Sequence, residues 1–69
     1  MTMDCLAISL FVRDGKTIQV KKHGRCRVVF GEREINVRHA DDGMPHTETY
    51  PITAVTEFWI NPAPVEVGT

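Results

Sequence analysis

The sequence predicts an all-β fold, a small five-stranded antiparallel meander on a strongly bent sheet or small barrel. Three observations predict it. Apolar residues alternate with polar ones through 5–12, 16–22, 25–30 and 35–39, the period of a half-buried strand. Gly-containing polar breaks separate these runs at Arg13-Asp14-Gly15, Lys22-His23-Gly24 and Gly31-Glu32-Arg33-Glu34. The chain is 69 residues long, room for one domain, which hides about 60% of its unfolded surface and draws roughly 3–5 kcal/mol from a single core.

Each element follows from local chemistry. The first two breaks place Gly third after two polar residues, which fits a three-residue loop with Gly in the left-handed region. That loop sets Leu10 opposite Ile18, Ile8 opposite Val20, Ile18 opposite Val28 and Val20 opposite Cys26. The third break fits a four-residue loop, with Phe30 opposite Ile35 and Val28 opposite Val37. The expected inner face is Leu6, Ile8, Leu10, Val12, Ile18, Val20, Cys26, Val28, Phe30, Ile35 and Val37.

From 40 to 46 the composition is that of a loop. A short extended piece follows at 47–50, and Pro51 can open one helical turn over 51–54. The stretch 55–60 is the last strand; a helix over 51–60 competes through the spacing of Ile52, Val55 and Trp59, but Thr53, Val55, Thr56 and Ile60 are β-branched. Residues 1–61 thus form one small β domain, and residues 62–69 a Pro-containing flexible tail. The order of Gly-containing hairpins followed by Pro51-Ile52-Thr53-Ala54-Val55 before the last strand resembles SH3-like and Sm-like small barrels. An open meander would also leave sheet edges for pairing with a second copy, a homodimer.

The N-terminus has no basic region ahead of its apolar run, and that run is too short to span a bilayer. A cytoplasmic protein with no membrane partner is therefore expected, with Cys5 and Cys26 as free thiols.

All eight Lys and Arg residues lie between Arg13 and Arg38. That window is formally +5 and the rest of the chain −6, so the net charge of −1 conceals a strongly dipolar molecule. The expected register puts Lys21 opposite Arg25 and Arg27 opposite Arg38 on one outer face. Like charges opposed on a sheet cost up to about 1 kcal/mol per pair, so a neutralising partner is implied. The candidates are an acidic protein surface, the phosphates of a nucleic acid, or the chain's own Asp41, Asp42, Glu48 or Glu57. Lys22 lies beside this face, and Phe11 and Trp59 are the outward aromatics, suited to protein hot spots or to base stacking. The other reading of Trp59 is a cap on the core.

No Ser/His/Asp spacing, phosphate-cradling glycine loop or paired-carboxylate motif is present, so no catalytic residue and no cofactor is expected. Asp41-Asp42 lacks EF-hand spacing. Cys26 with His39 and Cys5 with His23 approach one end of the sheet, but the expected register puts the two pairs on opposite faces. With no Cys-x-x-Cys pair either, no metal is expected.

The expected function is a non-catalytic small binding protein, a regulator or inhibitor engaging a partner protein through the basic face. Its short, motif-free build resembles the small modulators encoded by phages and mobile elements. The alternative is a nucleic-acid-binding small β-barrel using the same cations; a pI of about 6.2 speaks against it, since such domains often exceed 9.

Overall fold

The computed structural model describes residues 1–39 and 45–64. Six strands make one curled, mostly antiparallel half-barrel sheet: β1 (Thr2–Asp14), β2 (Thr17–His23), β3 (Cys26–Phe30), β4 (Glu34–His39), β5 (His46–Pro51) and β6 (Val55–Pro62). The predicted all-β class, the bent sheet and the helical turn before the last strand are all present. The turn is a 3-10 turn over Ile52–Ala54, so the competing helix over 51–60 is overturned. The extended piece at 47–50 is β5, a sixth strand. Most of the loop at 40–46 and the end of the tail at 62–69 lie outside the described residues, as do Asp41 and Asp42.

The pairing organises itself around β1. Its one edge meets β2 along Ile8–Asp14 and then β3 along Thr2–Cys5, while its other edge meets β6. β4 and β5 follow from β3. Thirteen residues of extended chain span roughly 43 Å at about 3.3 Å each, so β1 sets the 49 Å length of the molecule. Beyond the curled body, β2, β1 and β6 run on as a three-stranded arm.

The hairpin register differs from the expected one. Asp14 pairs with Thr17, leaving Gly15 and Lys16 as the turn, and Gly15 takes the positive φ of 63°. The Thr17 hydroxyl donates to the Asp14 carbonyl at 2.9 Å across it. Leu10 therefore faces Lys21, and Phe11 faces Val20. The second break, Lys22-His23-Gly24, does not reverse the chain. β2 and β3 run along β1 in one direction, interrupted only where Gly24 and Arg25 pass Leu6 and Ala7.

At that interruption the inner face changes parity. Met3 and Cys5 point inward before it, and Ile8, Leu10 and Val12 after it. A strict period-two reading carries one parity through such a corner. It therefore placed Leu6 inward and Cys5 outward, whereas Cys5 is fully buried and Leu6 lies outside the core cluster.

The core consists of Cys5, Ile8, Leu10, Cys26, Val28, Ile35, Val37 and Tyr50, with Met3, Val12, Phe30, Val55 and Ile60 packed against it. Ile18 and Val20, expected inside, are 51% and 46% exposed. They share the outer face of the arm, over which no described element folds. The third loop behaves as expected, with Phe30 opposite Ile35 and Val28 opposite Val37. Cys5 and Cys26 lie directly opposite one another as thiols, with no disulfide between them, and burial pushes the Cys5 thiol above its ordinary value. Among the described residues no helix is long and apolar enough to cross a membrane.

Candidate functional site

Three surfaces carry the chemistry-bearing residues. The first is the outer face of the arm. Ser9 is flanked by Trp59 on β6 and Lys22 on β2, and Phe11 by Glu57 and Val20, while Arg13 faces Ile18. Directly opposed residues share a face, so Trp59, Phe11, Val20, Ile18 and Lys22 lie together. Trp59 is 65% exposed, which overturns its reading as a core cap. Its neighbour Phe58 points to the concave side and meets the Phe30 ring at 5.5 Å. The register shift between Phe11 and Val12 turns Val55 inward against the core.

The second surface holds arginines. Asp4, Arg27, Arg38 and Thr47 form one row across β1, β3, β4 and β5. The opposition of Arg27 and Arg38 is as expected. That of Lys21 and Arg25 is not: Lys21 faces Leu10, and Arg25 sits at the corner. The expected four-cation face is thus reduced to Arg25, Arg27 and Arg38, which line an open groove of about 1040 Å³ with Asp4, Pro62 and Pro64.

The row also contains its own counter-ion, distinct from Asp41, Asp42, Glu48 and Glu57. Arg27 Nε donates to Asp4 Oδ1 at 2.9 Å. This bond and the charge of Arg27 hold the Asp4 carboxyl below its ordinary value. Because that value is lowered on folding, the pair's contribution is present above the ordinary pKa of 3.8 and fades as acid protonates Asp4. Both groups are exposed, so the contribution is small. Arg27→Ala should return the Asp4 titration, followed by carboxyl NMR shifts, toward 3.8 while barely moving the urea midpoint. An unchanged Asp4 titration would show that the ion pair does not form in solution.

The third surface lies on the concave side, where β2 ends over β4 and β5. His23 Nε2 and the Tyr50 hydroxyl are 2.8 Å apart, and His23 Nδ1 is 3.2 Å from Glu48 Oε2. With its hydrogen on Nδ1, the His23 ring donates to Glu48 and accepts from Tyr50. Burial lowers the His23 pKa, against the opposing pull of Glu48. Burial first, and then the Glu48 charge, raises that of Tyr50. His39 packs its ring 4.7 Å from His23 and stacks on His46 at 4.6 Å. The Nε2 of His39 is buried and has no hydrogen-bond partner among the described residues.

The expected separation of Cys5 and His23 from Cys26 and His39 on opposite faces is also overturned. Cys5, Cys26 and His39 are buried, and the His23 side chain is largely so, all toward the interior. No spacing along the chain joins Glu48 to His23, because only the curl of the sheet brings β2 over β5. One signal was legible: His46, Glu48 and Tyr50 alternate along one strand and therefore share a face.

No family model, curated protein or solved structure matches the chain.

Proposed function

We propose that the chain is a non-catalytic protein-binding module, a regulator or inhibitor that engages its partner with the outer face of the arm. The observation that carries this reading is the exposed Trp59, set on one face with Phe11, Val20 and Ile18. Single exposed apolar residues are ordinary, whereas a grouped set marks an interaction surface. Trp is among the residues most enriched in binding hot spots. Branched Val20 and Ile18 suit packing against side chains, and they offer no π face to a base. Lys22 and Arg13 at the rim match an acidic border on the partner and would speed encounter.

The test is affinity capture with the full chain and two variants. Wild type and Arg27→Glu should retain one stoichiometric partner, and Val20→Lys should lose it. Capture that survives Val20→Lys but not Arg27→Glu would move the interface to the arginine groove. Self-association is the competing use of the face, and a molar mass that doubles with concentration in wild type but not in Val20→Lys would favour it.

A nucleic-acid reading has one observation in its favour, the three guanidinium groups on one groove. Phosphate binding through three cations predicts a log–log salt slope of about −2 to −3. Absence of any mobility shift at low salt would sink it. The commitment of Arg27 to Asp4 ranks it second.

A further inference from the structure

We infer that His23, His39 and Glu48 form a binding site for one divalent transition cation of the zinc type. One ligand atom from each residue lies within 4.8 Å of the other two. Zinc at about 2.0–2.1 Å from tetrahedral ligands requires those ligands to stand about 3.3 Å apart. Glu48 Oε2 is 3.2 Å from His23 Nδ1 and 3.7 Å from His39 Nε2. The third spacing, between the two imidazoles, lies within 4.8 Å and closes by a small approach of the two rings, while the half-exposed Glu48 adjusts to both.

An independent observation points the same way. The His39 side chain is only 6% exposed, and among the described residues its Nε2 has no hydrogen-bond partner. At 3.7 Å the carboxylate is too far to accept from it. A buried ring nitrogen left so is destabilising; a cation between it and Glu48 would satisfy both.

The surroundings fit as well. Ligating histidines ordinarily place the second ring nitrogen on a fixed partner, which sets the tautomer. Ligation through His23 Nδ1 leaves Nε2–H to donate to the Tyr50 hydroxyl, 2.8 Å away. Two imidazoles and one carboxylate are a ligand set of zinc and of other first-row ions, with coordination positions left open. The ligands come from β2 and from the paired strands β4 and β5, with which β2 shares no hydrogen-bonded ladder. An ion there would tie the base of the arm to the body of the sheet, the kind of staple small domains use.

The experiment is a titration of the full chain with Zn²⁺ against a chromophoric chelator, with thermal unfolding followed in parallel. One ion per chain is expected. Zinc at a hundredfold excess over Kd should raise the melting temperature by at least about 10 °C. Co²⁺ in its place should give visible ligand-field bands without a thiolate charge-transfer band. Glu48→Gln, on a half-exposed side chain that the fold tolerates, should weaken binding at least tenfold. His46→Ala and the double variant Cys5→Ser/Cys26→Ser should retain one ion. Absence of stoichiometric binding by the folded wild-type chain would overturn the inference. So would a thiolate band, or binding that survives Glu48→Gln but not His46→Ala.

Discussion

Leu10→Ala should leave much of the chain unfolded at 25 °C, while Val20→Thr should hardly change its stability. Leu10 is fully buried on β1, the strand that contacts β2, β3 and β6. It lies between Lys21 and Phe58. Truncating such a leucine removes its transfer free energy and leaves a cavity, together about 2–5 kcal/mol. A core of this size supplies only roughly 3–5 kcal/mol, so one cavity consumes most of the margin. Val20 is nearly half exposed on the other face, where substitutions usually stay within about 0.5 kcal/mol. Urea unfolding by circular dichroism measures both. Equal losses would mean that Val20 belongs to the core and that the hairpin register described above is wrong.

Trp59→Ala should weaken partner binding at least about 30-fold, the equivalent of a hot-spot loss of 2 kcal/mol. Its melting temperature should stay close to that of the wild type, since the ring is mostly in solvent and its row neighbours are Ser9 and Lys22. Phe58→Ala provides the contrast. Its ring meets Phe30 on the concave side, so its loss should cost stability before it costs binding. Measuring affinity by titration with the captured partner and stability by thermal unfolding separates the two. Trp59→Ala that binds like wild type would remove the arm face from consideration as the interface.

Stability rests on the concave side, where the apolar residues of β1, β3 and β4 meet Tyr50. The proposed recognition uses the convex side of the arm, where apolar alternation continues with no described element over it. A chain with so small a core has little reason to place Val20, Ile18 and Trp59 in water unless that surface is used. The histidine and glutamate cluster lies inside the curl, away from the arm's outer face. Metal binding and partner binding are therefore separable by mutation: Glu48→Gln addresses one and Val20→Lys the other.

Much of this was legible in the residues. Apolar alternation and β-branched content identified the strands, and the four residues after Phe30 fixed the β3–β4 register. Pro51 marked the turn before β6, and Trp59 was legible as an outward aromatic. These are local properties, set by the two-residue repeat of extended chain and by the few backbone shapes a short loop can take.

What local pattern could not decide was the placement of the Gly15 turn and the corner at Leu6–Ala7 and Gly24–Arg25. Alternation is the same whether the covered face is a core or a docking surface, so Ile18 and Val20 read as interior. Only the pairing of β1 with β2, β3 and β6 decides which face is covered. The same curl opposes Asp4 to Arg27, which no spacing along the chain foretells. It also carries His23 over β4 and β5 to meet His39 and Glu48, because closing a sheet on itself joins strands that are neighbours neither in sequence nor in the hydrogen-bonded ladder.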